Sequence, residues 1–442
     1  MKSRLCLCIS TVTLLVVAAI PFAAQSQQEH HRFSHYSVVN LGTPLGGTIS
    51  EANSLNNLGW ASGSAFLPGN TAQHAFLWAY GLKVPLGTFG GPNSLIDFPV
   101  KNNTGDLVGL AETSTTDPLG ENFCQFGTGF TCEAFLWRFG LLTKLPTLGG
   151  NNGRAAGEND LGQIVGWAEN KIQDPTCVHP VQFLQFEAVI WGPQKGQIKQ
   201  LPPFPGDPDS AAVAINDQGQ VVGISGQCDV AVGELSAEHG VLWQNGKVIS
   251  IPTLGGIAWN TPDAINNRSQ VAGFSDLPND NPANPNFHAF FWTKESGTID
   301  LGTLKKDGPN AVSEATGMNN EGQVVGLSCE AGFANCHAVL WQDGHIVDLN
   351  KLIPQDASLQ LLFAGDINDE GEIAGQACVL TDGACTSTSV LTTFLLVPKH
   401  DWNDSDADSS DAQTNASPTA ALPDNVRKQM MQRLGLGSLA SK

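Results

Sequence analysis

The chain has 442 residues, with 48 glycines, 25 prolines and only 14% charged residues, a balance that suits many short strands and turns better than helices. Its formal charge of −20 argues against a phosphate-binding surface, which needs clustered Lys and Arg, so nucleic acid and anionic membranes are unfavourable partners. Length alone admits one large domain or two to three ordinary ones.

Lys2 and Arg4 precede an apolar run from Leu5 to Ala19, followed by Pro21 and Ala24-Gln25-Ser26. A basic start, a short apolar core and small residues two apart predict a secretory signal over residues 1–26. No later segment is apolar for long enough to cross a bilayer, so no membrane span is expected in the mature chain, whose destination is extracellular or periplasmic.

A repeat follows. Its clearest copy starts at Ala212, where Ala214-Ile215-Asn216 meets Asp217-Gln218-Gly219 and then Val221-Val222-Gly223. This predicts two apolar strands about a tight turn whose glycine accepts a positive φ. His239 to Trp243 predicts a third strand, Asn245-Gly246 a turn, and Lys247 to Pro252 a fourth. In chain order, the Trp-terminated strand recurs as HAFLW at His74, EAFLW ending at Trp137, EAVIW ending at Trp191, HAFFW at His288 and HAVLW at His337. A seventh unit opens at Ile367 and stops near Val397 without a fourth strand, while Tyr36 to Gly42 is a fourth strand with no unit before it.

Those complementary fragments predict closure, with the N-terminal strand completing the last unit and removing both exposed edges. Four strands per period of roughly fifty residues define an all-β, seven-bladed β-propeller over residues 27–398. An open solenoid would call for distinct capping units instead. Ser269 replaces the turn glycine in the fifth unit and is expected to carry local strain. Residues 399–423, with five aspartates between Asp401 and Asp411, read as an acidic disordered linker. Residues 424–442 read as a short helix or tail in which Asp424 caps and Met430, Met431 and Leu434 are available to dock.

The units resemble the HAF repeats of extracellular bacterial proteins, on the HAFLW, HAFFW and HAVLW strands and the Ile-Asn-Asp-x-Gly-x-Val-x-Gly hairpins. The resemblance spans roughly residues 36 to 398 and implies export and a propeller, with no activity attached. Glu133 and Glu187 take the place of the histidine in two units, so the pattern does not require it.

Eight cysteines remain after the signal, an even number that predicts disulfides in an exported protein. Cys124 with Cys132, Cys329 with Cys336, and Cys378 with Cys385 each fall in one loop, whereas Cys177 and Cys228 occupy the same loop of neighbouring units and would staple them. A zinc site lacks matching Cys and His spacing. His74, His239, His288 and His337 sit at equivalent positions in separate blades, which suits packing or hydrogen bonding better than one shared ion. No cofactor is expected, with calcium as the open alternative, since acids on the long loops also suit a calcium-bridged ligand. A calcium loop counted from Asp404 departs at Ser409, where glycine is needed, and at Asn415, where glutamate is.

No nucleophile elbow, zinc-protease helix or phosphate loop is present, so no catalytic residue is selected. One surface does stand out. The loops between second and third strands are long in units two to five, roughly 111–132, 168–186, 225–238 and 275–287, and all emerge on one rim. They carry Asp117, Glu121, Phe123, Phe126, Asp174, His179, Asp229, Asp276 and Asp280, with Trp259 on an adjacent connection. Aromatics among acids and amides suit an extracellular carbohydrate or protein ligand. The leading expectation is therefore a secreted, non-catalytic binding or scaffold propeller. A polysaccharide hydrolase or lyase using rim carboxylates is the first alternative, and a surface or matrix component the second.

Overall fold

A computed structural model describes residues 33–177, 182–228, 238–256, 259–278, 286–399, 422–424 and 426–427. Seven four-stranded antiparallel sheets follow one another round a closed ring, a seven-bladed β-propeller. The last blade combines Leu359–Ile367, Ile373–Val379 and Leu391–Pro398 with the N-terminal Tyr36–Gly42, so its fourth strand comes from the opposite end of the chain. Tyr36 faces Pro398 and Gly42 faces Thr393, as the complementary fragments predict.

The repeated Asn-x-x-Gly turn explains how the ring closes. In blade 4, Asn216 Oδ1 accepts the N–H groups of Gln218 and Gln220 at 3.1 and 3.0 Å, which fixes the turn. Its Nδ2 donates across the blade boundary to the carbonyl of Asn266 at 3.0 Å. The same bond runs from Asn56 through Asn102, Asn159, Asn216, Asn266, Asn319 and Asn368 back to Asn56, at 3.0–3.3 Å. A second circuit passes through the next residue of each turn: every backbone N–H donates to the side-chain oxygen of its neighbour, at 2.6–3.0 Å, and Asp369 to Asn57 closes it. At about 1 kcal/mol net for each such bond, these circuits hold blade to blade on the turn face. Indoles add a bond at three of these boundaries: Trp191, Trp243 and Trp341 donate to carbonyls of the preceding blade, at Pro146, Pro202 and Leu301.

Two local details carry the sequence pattern. The Val-x-Gly glycine is set by close approach, since a Cβ on Gly223 would collide with the carbonyl of Ala211 on the inner strand. Ser269 keeps the positive φ of its glycine counterparts, at 60°, and its hydroxyl donates to Gln220 Oε1 at 2.7 Å, which offsets part of the backbone strain.

One buried apolar cluster draws side chains from all seven blades, among them Phe98, Trp167, Trp259, Phe274, Phe333 and Phe363. Leu422 and Val426, from beyond the last strand, are buried in it, and the Leu422 N–H donates to Ala334 O at 2.7 Å. Docking therefore begins two residues inside the stretch read as linker. Two apolar residues are too few to fold alone but enough to cover an apolar surface already built. The signal segment, the Asp401–Asp411 run and Met430, Met431 and Leu434 lie outside the described residues.

Candidate functional site on the long-loop rim

Antiparallel order puts the Asn-x-x-Gly turns and the turns between third and fourth strands on one face, and the long loops on the other. In blades 2 and 3 the hairpins extend further than the repeat suggests, with strands Leu107–Thr116 and Ile164–Gln173 running into the predicted loops. Within the register shift of blade 2, Thr113 and Thr131 pair through their hydroxyls at 2.6 Å and support that extension.

Beneath these loops the acids form an internal scaffold. Asp117 Oδ1 accepts the N–H groups of Leu119 and Glu121 at 2.8 and 3.1 Å, and its Oδ2 accepts Asn152 Nδ2 at 2.9 Å. Glu121 Oε1 reaches into blade 3, accepting the N–H groups of Phe183 and of Leu184, the latter at 2.9 Å. Asp174 Oδ1 accepts both the N–H and the hydroxyl of Thr176, whose Oγ1 accepts the Cys228 N–H at 3.2 Å. The Cys177–Cys228 disulfide completes the link from blade 3 to blade 4. Three neighbouring loop systems are thus tied together, and the three clipped pairs Cys124–Cys132, Cys329–Cys336 and Cys378–Cys385 form as their spacing predicts.

Several predicted ligand contacts consequently face inward. Asp117, Glu121, Asp174 and Asp276 are at most 4% exposed, and each of the first three has a carboxylate oxygen that accepts backbone N–H groups of the fold. Trp259 is a correction of substance: only 2% exposed, it packs edge-on against Phe274 and Phe287 at 4.7 and 5.4 Å and belongs to the core. Phe123 is half-buried against Phe186, with ring centroids 6.0 Å apart, and Phe126 is half-buried beside the Cys124–Cys132 bridge. His179, Asp229 and Asp280 lie outside the described residues. What the rim of blades 2 and 3 exposes around its buried acids is mainly neutral and polar: Ser114, Thr115, Thr116, Gln125 and Gln173, beside Lys171 and Ile172.

Like charges under the rim alter its titration. Burial, aided by the Glu121 charge, pushes Glu169 up to about 8, and burial raises Glu121 as well. Burial and the adjacent Asp174 carboxyl push Asp209 up to about 9. Burial also raises Glu187 to about 7 and, at the turn-face end of blade 3, Glu158 to about 8. These groups hold protons in the folded chain that the unfolded chain releases above about pH 4. Their contribution is therefore complete below that value and is lost as pH rises through 7 to 9. Burial opposes ionisation at Asp300, Asp348 and Asp369 too, but is outweighed by the His288 hydrogen bond, by the His337 and Lys306 charges, and by the Asn320 N–H respectively, which hold all three low. The expected result is a melting temperature several degrees higher near about pH 5 than near about pH 8.5, with a fall only at stronger acid. Glu169→Gln with Asp209→Asn should flatten the slope. A melting temperature that climbs from about pH 5 to about pH 8.5 would contradict it.

The repeat did not signal a second concavity, on the turn face. It encloses about 160 Å³ at the centre of the ring and is lined by the second residues of the turns, including Asn103, Asp160, Asp217 and Asp369, together with Lys101. Lys101 Nζ pairs with Asp366 and donates to the Ile367 carbonyl at 2.7 Å, so the cavity holds its own cation, while its amides and carboxylates are engaged in the ring circuit. Two of the four repeat histidines are likewise occupied: His239 bonds Asp207 at 2.9 Å and stacks on Phe204, and His288 bonds Asp300 at 3.0 Å. Asp174 lies beside the Cys177 and Cys228 sulfurs, but a disulfide offers no thiolate, so that trio cannot act as a thiolate metal centre.

No family model matches the chain, and no curated protein does. Among solved structures, a gluconolactonase of Xanthomonas campestris is similar at 9% identity and a TM-score of 0.38, covering 82% of this chain and 90% of its own. An acylaminoacyl peptidase of Pyrococcus horikoshii is similar at 10% identity and 0.44, covering 84% of this chain and 51% of its own. An ulvan lyase is similar at 11% identity and 0.30, covering 83% and 84%.

Proposed function

We propose that the protein is an exported, non-catalytic recognition propeller that binds an extracellular carbohydrate or protein on the rim of blades 2 to 4. One observation carries the reading. Asp117 and Glu121, the Asp174–Thr176–Cys228 link and the Cys177–Cys228 bridge lock three long loops to one another. Fixing loops in advance removes ordering cost from a binding event. The exposed hydroxyl and amide side chains favour a neutral, hydroxylated ligand, hence carbohydrate before protein. Four disulfides accord with an oxidising compartment, and among the described residues no helix is long and apolar enough to cross a membrane. The hydrolase alternative would need open rim carboxylates, whereas Asp117, Glu121, Asp174 and Asp276 are enclosed.

A glycan array probed with the mature chain tests the reading. Binding should be retained in Glu121→Gln only as far as the loops keep their shape, and should be lost when Thr115 and Gln125 become Ala in a chain of unchanged melting temperature. Glycan binding that survives Thr115→Ala with Gln125→Ala would move recognition off this rim. Binding to no glycan, with capture of a defined protein ligand on the same residues, would select the protein class.

A further inference from the structure

The turn face is uneven. In blades 1 to 3 it exposes Phe139 at 90%, Tyr80 at 74%, Leu82 at 69%, Leu141 at 67%, Leu161 at 61% and Leu58 at 41%. The other blades place polar or charged residues at equivalent positions. Where blade 1 has Leu58 and blade 3 has Leu161, blades 4 to 7 have Gln218, Arg268, Glu321 and Glu370. Where blades 1 and 2 turn through Tyr80-Gly81 and Phe139-Gly140, blades 4 and 6 turn through Asn245-Gly246 and Asp343-Gly344.

The backbone makes this unevenness informative. All four turns are the same two-residue type, with φ of 50°, 51°, 53° and 52° at Tyr80, Phe139, Asn245 and Asp343. Asn and Asp tolerate that left-handed conformation, and bulky aromatic residues do so poorly. Tyr80 and Phe139 therefore keep a strained backbone while gaining little burial within their own chain. Tyr80 is also held in place: its hydroxyl donates to Leu58 O at 2.9 Å, and its ring meets Trp60 edge-on.

We infer that this sector of the turn face, blades 1 to 3, is where a second copy of the chain docks. An aromatic side chain presents roughly 150–250 Å² and a leucine somewhat less, so the six leave on the order of 600–800 Å² of side-chain surface in water, near the roughly 800 Å² per partner of a specific interface. Charge selects the occupant. The turns of blades 1 to 3 present a single acid, Asp160, with Asn57, Asn103 and Thr104 beside the apolar residues, whereas those of blades 4 to 7 present Asp217, Glu295, Glu321, Asp343, Asp369 and Glu370. Two chains of formal charge −20 meet with least repulsion where this acid-poor sector faces itself across a two-fold axis. An anionic lipid surface offers no such match. Docking through the turn face leaves both long-loop rims pointing outward, which gives a bivalent binder.

Sedimentation velocity on the full chain, from nanomolar to high micromolar concentration, tests the inference. The wild type should show a monomer–dimer equilibrium. Tyr80→Asn with Phe139→Asn should weaken it roughly tenfold or more, the usual result of deleting interface anchors. That variant should melt no lower than wild type, because Asn is what this turn carries in blade 4. Leu82→Lys with Leu141→Lys, which copies Lys247 of blade 4, should weaken the dimer independently. A chain that stays monomeric throughout overturns the inference, as does a dimer unaffected by either variant. Pelleting of a monomeric wild type, but not of the variants, with phosphatidylethanolamine–phosphatidylglycerol vesicles also overturns it, by assigning the sector to a lipid surface.

Discussion

Replacing Cys177 and Cys228 by Ala should lower stability by about 4 kcal/mol, the loop entropy expected for a bridge closing about fifty residues. Its two sulfurs are 51 residues apart in sequence, against 7 for Cys329–Cys336 and Cys378–Cys385 and 8 for Cys124–Cys132. The same relation gives only about 2.5 kcal/mol for the short clips. The staple also lies at a boundary where Thr176 receives the Cys228 N–H and Asp174 receives Thr176, so its loss should loosen the rim as well as the unfolded chain. Denaturant midpoints measured under non-reducing conditions give the comparison. A Cys329→Ala, Cys336→Ala variant that loses as much as the staple variant would show that loop length is not the governing term.

Trp259→Ala should cost about 3–5 kcal/mol, the range for removing a large aromatic side chain from a packed core. The indole is 2% exposed, touches Phe274 and Phe287, and lies in the cluster that also receives Leu422 and Val426. The cavity left behind cannot collapse easily, because the strands around it are fixed by their own blades. Thermal and chemical denaturation should show the loss, with ligand binding falling only in proportion to the unfolded fraction. Unchanged stability with abolished binding would return Trp259 to the ligand surface that its place on a connection suggests.

The fold was legible because each of its rules is local and repeated. A glycine after Asn-x-x, an apolar strand ending in Trp, and an orphan N-terminal strand matched to a last unit that lacks one suffice to define blades, count and closure. The disulfide scheme was legible for the same reason, since equivalent loops place Cys177 next to Cys228. Burial of the rim was not legible. Asp117, Glu121 and Asp174 look like ligand contacts in a list of loop residues, because polarity alone does not reveal that a carboxylate is receiving backbone N–H groups from its own or the next loop. Trp259 misleads for a related reason: a connection between blades reads as surface, whereas its carbonyl accepts the Asp276 N–H at 2.9 Å and the indole is held inside the ring. The Asn circuits were half visible. The asparagines recur at every turn, but the turn alone accounts for their oxygens, and only the packed ring shows where their amides donate.

Turnover of polysaccharide by the mature chain is the measurement that bears most directly on non-catalytic recognition. Incubation with the glycans that bind it, with product release followed by reducing-end and unsaturated-sugar assays with and without calcium, should give binding and no product. Released oligosaccharide that disappears in Asp117→Asn or Glu121→Gln, with the fold intact, would contradict it and make those carboxylates catalytic.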